Sequence, residues 1–536
     1  MKNLIFLYAG DDSTHAFDKV FSERSAFSRC IQWAKRIEEN AGIVIFSSVK
    51  NKPLIQNEFS EMGFDDAKII EKEKWLCRDI IESMSSESSE RRVENAVYAC
   101  ADRPFLNDEL TREVLKCHEK YISEYTFADG YPYGFAPEVL NAGTLKILAE
   151  LAKTNFRDAG ETCVGNECIF NLLKKDINSF EIEAVIAPKD YRMLRFDFSC
   201  GTKRNLLACQ RLYKKSGELS VVDMCDLAER SGEIQQTLPA FYNVQICSNL
   251  NSVPLYSAYA KCYKDKNGVF PVKKEKPENK IMGIEKFSDL VSKISSFSED
   301  AVIGLSAFCE PLLVENISDY VECVLKNKNL SVLIESDGTL VSRELASKIK
   351  SIEQKYGARE NGEAPVIWIL SIDAFSPLMY SKIVSGGSFE KAVESISILG
   401  EFFPDSVYPQ FTRMNENEDE LESFYRYWHE KKSPSNGKLI VQKYDDCCGL
   451  LPQRKPADLS PLERNVCWHI KRDLTVLVDG DVPLCRQHVL SHVIGNVFED
   501  GLEKIWNETF AVVEEHIAKK YSEKCRKCDE YYTFNF

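Results

Sequence analysis

Short apolar segments alternate with amphipathic stretches along two long parts of this sequence, and this alternation limits the fold more than any other feature. Near the start, KNLIFLYA, SAFSRCIQWAKRIEEN and GIVIFSS follow one another as strand, helix and strand. From about residue 300, helical stretches separate AVIGLSAF, SVLIESDG, VIWILSID, VYPQFTRM and KLIVQKY. Strands that alternate with helices form parallel sheets. The sequence therefore predicts an α/β protein, with a doubly wound first domain followed by a parallel βα barrel or partial barrel.

The length of 536 residues suggests three domains, which we expect at residues 1–232, 233–440 and 441–536. The spacer KDKNGVFPVKKEKPENK indicates an exposed connection near the first boundary. A net charge of −15 argues against nucleic acid and membrane partners, because both require a basic surface. The first apolar run is too short for a signal sequence or a membrane span, so we expect a cytoplasmic protein whose cysteines bind metal.

Four cysteines near the end of the chain form the strongest candidate metal site. Cys467 and Cys485 flank IKRDLTVLVDGDVPL, in which β-rich segments surround an Asp-Gly dipeptide that favours a two-residue hairpin turn. Such a hairpin would fold Cys485 back toward Cys467. After a predicted helix, Cys525 and Cys528 form the C-x2-C pair used for zinc or iron–sulfur coordination. We therefore expect four thiolates at one metal site, the alternative being that these cysteines are small buried apolar residues.

The order of CWHIKRDLTVLVDGDVPLC, IGNVFEDGLEKIW and CRKC resembles the SPASM module, the auxiliary-cluster extension of radical SAM enzymes. The resemblance implies a 4Fe–4S cluster as the cofactor of the C-terminal domain. Zinc is the alternative, because thiolates alone serve both. Cys447 and Cys448 lie just ahead of the module. One of this pair could serve a cluster, whereas adjacent cysteines cannot easily both bind one metal.

Three segments, GLSAFCEPLL, VLIESDGTLV and WILSIDAFSPLMYSKIVSGGSFEKAVESI, resemble successive strands and helices of the radical SAM barrel. The strand ends of such a barrel carry its ligand chemistry. The resemblance implies a site for S-adenosylmethionine (SAM), with Glu310, Ser336 and Asp373 as lining residues.

The cluster loop of radical SAM enzymes, C-x3-C-x2-C, should follow the first barrel strand, where this chain has FYNVQICSNLNSVPLYSAYAKC. Counting from Cys247, the next two cluster positions hold Asn251 and Pro254, which are not thiolates. Cys309 replaces the glycine that lets the SAM amino group approach the backbone. We therefore expect no reductive cleavage of SAM and assign no catalytic residue. An atypical radical SAM enzyme would need other ligands, for instance Cys247 with Cys262 and Cys309.

The first 230 residues resemble the GT-A-like nucleotidyltransferase fold of cytidylyltransferases that activate sugars. The segment AGDDSTHAFDKVF stands at the phosphate-binding loop of that family, and ADRPFL stands at its metal-binding strand end. The resemblance implies that Lys19 binds phosphate and that Asp102 binds Mg²⁺, with Asp197 as a second metal ligand. Asp11 and Asp12 would repel a polyphosphate. We therefore expect weak nucleotide binding that requires Mg²⁺.

Besides the atypical radical SAM enzyme, two functions remain open from the sequence. The first is a SPASM-type iron–sulfur protein derived from a radical SAM enzyme and fused to a nucleotidyltransferase-like domain. The second is an active nucleotidyltransferase that acts on an activated sugar. The corresponding substrates are a nucleotide, a sugar nucleotide or a peptide, and the oligomeric state stays open.

Overall fold

The computed structural model describes residues 2–11, 13, 15–217, 219–258, 280–360, 362–488 and 491–533. Asp12, Cys262 and the spacer up to residue 279 lie outside the described residues. The chain divides into two compact units, Met1–Thr237 and Leu238–Phe536. Each unit contains a seven-stranded sheet, so the predicted α/β class is confirmed.

The strands of the first unit are β1 (Asn3–Ala9), β2 (Asn40–Ser48), β3 (Ala67–Lys72), β4 (Asn95–Cys100), β5 (Tyr125–Asp129), β6 (Glu138–Asn141) and β7 (Ile182–Ile186). Their order in the sheet is β3-β2-β1-β4-β6-β5-β7. Neighbouring strands are parallel except at β6, which runs antiparallel to both β4 and β5. The carboxyl ends of β1 and β4 therefore lie at one edge, where a doubly wound sheet binds ligands.

Helices cover both faces of this sheet. They are α1 (Ala26–Lys35), α2 (Lys52–Met62), α3 (Cys77–Arg91), α4 (Asp108–Tyr121), α5 (Ala142–Leu151), α6 (Arg157–Gly160), α7 (Cys168–Leu173), α8 (Lys203–Ser216), α9 (Val221–Glu229) and α10 (Gly232–Gln235). Alternate residues of β1 enter different cores, Leu4 and Phe6 on one face and Ile5 and Leu7 on the other. Because both faces are buried, β1 is continuously apolar instead of alternating with polar residues.

The strands of the second unit are β8 (Phe241–Val244), β9 (Val253–Pro254), β10 (Ala301–Gly304), β11 (Leu330–Ser336), β12 (Val366–Ser371), β13 (Val384–Ser385), β14 (Val407–Arg413), β15 (Ile440–Lys443), β16 (Asp473–Val476), β17 (Asp481–Pro483) and β18 (Val493–Asn496). The main sheet has the order β15-β14-β12-β11-β10-β8-β16 and is parallel throughout. It therefore has the parallel partial-barrel form that the βα repeats predict.

The helices of the second unit are α11 (Ile284–Ser298), α12 (Ile317–Leu325), α13 (Arg343–Tyr356), α14 (Pro377–Ile383), α15 (Phe389–Phe402), α16 (Leu421–His429), α17 (Leu502–Glu508), α18 (Phe510–Ile517) and α19 (Glu523–Lys527). Side chains of the strands and of α11 to α17 form one continuous core. Across the described residues, no helix is both long enough and apolar enough to cross a lipid bilayer.

The hairpin predicted between Cys467 and Cys485 is wrong in its strand pairing. The tight turn does form: Gly480 has a φ of 90°, and the Leu477 amide donates to the Asp481 carbonyl at 2.8 Å. However, β16 joins the main sheet beside β8, while β17 pairs with β18. Local turn chemistry specifies the reversal of the chain but not the partner of each flanking strand.

Candidate functional site

The four predicted cysteine ligands come together in the second unit. Cys467 lies before β16, Cys485 lies after β17, and Cys525 and Cys528 lie in and just after the short helix α19. Burial raises the pKa of Cys485, and the charges of Cys467, Cys528 and Cys525 raise it further. Burial also raises the pKa of Cys467 to about 12, reinforced by Cys528 and Cys525. Cys467, Cys485 and Cys528 line one cavity, and the charge of Cys525 acts on both Cys467 and Cys485.

The chemistry of these four cysteine thiols suits a metal bound by thiolates. A cavity opens between Cys467, Cys485 and Cys528, and none of the described cysteines is in a disulfide. Buried thiols with raised pKa values carry their protons at neutral pH. A bound metal would displace those protons, and its charge would compensate the four thiolates.

The segment after Cys528 is fixed by charge pairs to the main sheet. Lys443 at the end of β15 contacts Asp529 at 2.9 Å and Glu530 at 2.5 Å, and Lys455 also pairs with Asp529. All of these side chains are largely buried, so their interactions are screened less by water than those of surface pairs. The C-x2-C pair is thereby held close to the edge of the main sheet.

A second cavity, which we call the barrel cavity, has a volume of about 150 Å³ and lies at the carboxyl ends of β10, β11 and β12. The Glu310 carboxylate accepts hydrogen bonds from Ser336 Oγ at 2.8 Å and from the amides of Leu312 at 3.1 Å and Asp337 at 3.0 Å. Burial and the charge of Asp337 raise the pKa of Glu310 to about 8, against these hydrogen bonds. Glu310 and Ser336, both predicted SAM-site residues, therefore lie together in the wall of this cavity.

Asp373, the third predicted SAM-site residue, lies behind the cavity wall. Its carboxylate accepts hydrogen bonds from the Tyr256 hydroxyl and from the Thr412 amide, both at 2.6 Å. Burial raises the pKa of Asp373 to about 6, although these bonds oppose the shift. Tyr256 itself lines the barrel cavity. Asp373 thus acts on the cavity through Tyr256, which it orients.

The residues at the positions of the missing cluster loop have other contacts. The Cys247 thiol is buried and donates to the Glu310 carbonyl at 3.3 Å, and the Cys309 thiol donates to the Leu305 carbonyl at 3.6 Å. Asn251 donates to Thr339 Oγ1 at 2.7 Å, and Pro254 belongs to β9. Asn251, Pro254 and Cys309 line the barrel cavity. Within the described residues, this loop therefore presents polar and apolar groups where a cluster would need three thiolates.

Arg486 and Gln487 line both cavities, so they separate the cysteine site from the barrel cavity. Much of the surface of Arg486 is accessible. Because Arg486 lines the two cavities, this accessible surface opens into them. Burial disfavours the charge of Arg486, but Glu335 and Asp445 outweigh this effect and raise its pKa. Sequence patterns did not indicate Arg486. Its position directly after a predicted ligand, Cys485, was the available signal.

In the first unit, Lys19 and Asp102 have different surroundings. Lys19 is exposed and pairs with Glu61 at 2.5 Å. Asp102 is buried, and the neighbouring Arg103 is buried beside it. Burial disfavours the charge of Arg103, but Cys100, Asp102 and Glu138 outweigh this effect and raise its pKa. The guanidinium donates to Cys100 Sγ at 3.6 Å and to Asn166 Oδ1 at 3.2 Å, and it is a positive charge near Asp102.

A cleft of about 770 Å³ lies next to these groups in the first unit. Its lining combines aromatic side chains with charged ones, including Tyr125, Phe127, Glu138 and Asp197. Burial raises the pKa of Glu138 to about 7, and it also raises the pKa of Asp197, although Ser199 and Arg103 oppose that second shift. Lys19 and Asp102 are not part of the cleft lining, whereas Arg103 and Asp197 are.

The C-terminal residues 467–529 match the model of the SPASM family, an iron–sulfur cluster-binding domain. The predicted SPASM resemblance is therefore confirmed. Over 377 residues the chain is 38% identical to an uncharacterised protein of Treponema pallidum (strain Nichols). The aligned region covers 69% of this chain and 98% of the relative.

Two solved structures are also similar to parts of the chain. One is a cytidylyltransferase from Leptospira borgpetersenii serovar Hardjo-bovis, with 13% identity and a TM-score of 0.36, over 44% of this chain and 96% of that protein. The other is BtrN in complex with AdoMet and 2-DOIA, with 15% identity and a TM-score of 0.34, over 55% of this chain and 94% of that protein.

Proposed function

The chain belongs to the same family as the treponemal protein and carries a SPASM iron–sulfur cluster-binding domain, and from this premise we propose that it is an iron–sulfur protein of the radical SAM/SPASM type. The cluster is a 4Fe–4S cluster bound by Cys467, Cys485, Cys525 and Cys528. The observation that carries the proposal is that three of these thiols, Cys467, Cys485 and Cys528, line one cavity within the matched domain. When bound, such a cluster supplies one-electron transfer.

The protein residues contribute the binding and shielding of this cluster. The four thiols hold it, and the charge pairs of Lys443 and Lys455 keep the chain after Cys528 in place. Arg486 lines the site and offers a positive charge beside the thiolates. A nearby cation lowers the cost of a net negative thiolate cluster.

The barrel cavity binds SAM, or a related cation, without cleaving it reductively. Three carboxyl groups, those of Glu310, Glu335 and Asp337, line the cavity opposite one guanidinium, that of Arg486. With its pKa raised to about 8, Glu310 is mostly neutral at pH 7, which leaves two carboxylates against one guanidinium. This excess of negative charge favours a sulfonium cation over a neutral thioether. The loop that would bind a SAM-cleaving cluster offers Cys247 with Asn251 and Pro254, so two of its three thiolates are missing.

Metal analysis of anaerobically purified protein tests the cluster. We expect about four iron and four sulfide per chain, and their loss when Cys525 and Cys528 are both replaced by alanine. Replacement of Cys163, an exposed cysteine of the first unit, is the matched control and should leave the iron content unchanged. Stoichiometric zinc without iron would overturn the iron assignment and keep the site, whereas absence of both metals would overturn the site.

Calorimetry tests the barrel cavity. We expect SAM to bind roughly tenfold more tightly than S-adenosylhomocysteine, because one unit charge near a partly buried carboxylate contributes about 1.4 kcal/mol. Glu335→Gln should remove most of this preference, and Glu344→Gln, on the exposed surface of α13, should not change it. Equal affinity for both ligands would contradict the assignment of the cavity to a cation.

The first-unit cleft supports a second candidate function, transfer of a nucleotidyl group to a sugar. The cleft is large, and its aromatic walls suit a base or a sugar ring. Against this function, the positive charge of Arg103 is already near Asp102, and Lys19 pairs with Glu61. Pyrophosphate release from CTP in the presence of Mg²⁺ and sugar acids would establish this activity, and its absence would leave the cleft as a binding site.

A further inference from the structure

Two buried acceptor atoms belong to residues in the wall of the barrel cavity. Asp337 Oδ2 and Asn251 Oδ1 have no hydrogen-bond partner among the described residues. Both residues line the cavity, and only 8% of the Asp337 surface is exposed. Buried polar atoms in folded proteins are almost always paired, because an unpaired one keeps the full cost of its lost hydration. These two oxygens therefore mark a position where a bound ligand should supply hydrogen-bond donors.

A threonine hydroxyl joins the two groups and fixes the direction of their hydrogen bonds. Thr339 Oγ1 donates to Asp337 Oδ1 at 2.7 Å, and the Thr339 amide donates to the same oxygen at 2.9 Å. Because a hydroxyl has only one proton, Thr339 Oγ1 must accept from Asn251, whose Nδ2 donates to it at 2.7 Å. The Asn251 amide is thereby oriented so that its oxygen, Oδ1, remains as an acceptor for a ligand.

Within the described residues, no lysine, arginine or histidine forms an ion pair with Asp337. The Asp337 amide donates to Glu310 Oε2 at 3.0 Å, which fixes the residue in the cavity wall. Arg486 also lines the cavity, but the carboxylates that act most strongly on it are those of Glu335 and Asp445. Asp337 should therefore attract a positively charged group of a ligand.

We propose that Asp337 and Asn251 bind the α-ammonium group of the ligand in the barrel cavity, so that the cavity selects SAM-type amino acids over nucleosides without an amino group. The inference rests on the proposed SAM site. An ammonium group carries three N–H donors and a positive charge, so it can satisfy a carboxylate and an amide oxygen together, whereas a hydroxyl brings one donor and no charge. Asn251 stands at the second cysteine position of the cluster loop, so an amide that recognises the ligand replaces a ligand of iron.

Two neutral thioethers test this inference separately from the sulfonium preference. S-adenosylhomocysteine and 5′-S-(3-carboxypropyl)-5′-thioadenosine differ only in the α-amino group. In calorimetry at pH 7, the full-length wild-type protein should bind S-adenosylhomocysteine roughly tenfold more tightly, because an ion pair in a partly buried site contributes about that factor. Asp337→Asn should reduce this ratio to about twofold, since the charge is lost and a neutral acceptor remains.

Two further variants complete the test. Asn251→Ala should reduce the ratio about threefold, because it removes one neutral acceptor. Asp289→Asn is the matched control, since it removes a carboxylate from a 59% exposed side chain of α11, and it should keep the wild-type ratio. If Asp337→Asn does not fold, the wild-type comparison and Asn251→Ala still decide the question.

The outcomes separate this inference from the proposed function. Equal affinity of the wild-type protein for the two thioethers would overturn the inference, and so would a tenfold ratio that persists in both Asp337→Asn and Asn251→Ala. Tighter binding of SAM than of S-adenosylhomocysteine, together with equal affinity for the two thioethers, would overturn this inference alone. If SAM and both thioethers fail to bind, the proposed SAM site and this inference are both wrong.

Discussion

Replacement of Gly480 by alanine should destabilise the second unit and weaken cluster binding. Gly480 has a φ of 90° in the turn that leads from β16 to β17 and on to Cys485. An added Cβ would lie 2.4 Å from Phe498 Cδ2 and 2.5 Å from Asn496 Oδ1. Asn496 cannot yield easily, because its side chain bonds the Asp479 carbonyl, the Asp481 carboxylate and the Phe498 amide.

The expected magnitude follows from two contributions. A left-handed conformation costs alanine roughly 1–2 kcal/mol relative to glycine. Overpacking against groups that cannot relax costs about 1–3 kcal/mol more. We therefore expect the free energy of unfolding to fall by about 2–5 kcal/mol. Gly357→Ala is the matched control, since Gly357 has a φ of 71° and nothing within 4 Å of the added Cβ. Its loss should be roughly 1–3 kcal/mol, from backbone strain alone, because a ψ of −165° puts Gly357 in a region that is essentially restricted to glycine.

Urea unfolding of both variants, followed by tryptophan fluorescence, measures this difference, and iron analysis measures its effect on the cluster. We expect Gly480→Ala to lose iron because the turn positions Cys485, and Gly357→Ala to retain it. If Gly480→Ala is no less stable than Gly357→Ala, the crowding by Phe498 and Asn496 is not a constraint and the reasoning fails.

Three further predictions concern nucleotide binding, pH and SAM chemistry. CTP should bind the first unit weakly and only with Mg²⁺, and the affinity should fall further in Lys19→Ala and Asp102→Asn. Tight binding without metal in calorimetry would refute this expectation. Burial lowers the pKa of His118 from 6.5 to about 4, so at pH 5 this histidine binds a proton in the unfolded chain but not in the folded one. The free energy of unfolding should therefore fall by about 2 kcal/mol between pH 7 and pH 5. In urea titrations, His118→Gln should reduce this dependence of the free energy of unfolding on pH. An unchanged dependence would contradict the prediction. With dithionite and SAM, the reconstituted protein should form no 5′-deoxyadenosine above a control without protein. If 5′-deoxyadenosine forms and is lost in Cys247→Ala, the protein does cleave SAM and the prediction is wrong.

Local sequence determined several parts of this structure. The apolar periods of β10, β11 and β12 and of the helices between them specify parallel βα units, because strands and helices differ in the spacing of buried residues. The same segments place Glu310, Ser336 and Asp373 near the carboxyl ends of adjacent strands. The Asp-Gly dipeptide and the C-x2-C pair similarly specify a tight turn and a pair of close thiols, since both depend only on neighbouring residues.

Tertiary structure alone decided the contacts between distant segments. The antiparallel direction of β6 and the placement of β16 beside β8 depend on long-range strand pairing, which turn chemistry does not encode. The roles of Arg103 and Arg486 depend on charges that folding brings around them. The ion pair of Lys443 with Asp529 joins residues 86 positions apart and has no local pattern. Such contacts arise only when the whole unit packs, because packing energy and not local propensity selects among the possible partners.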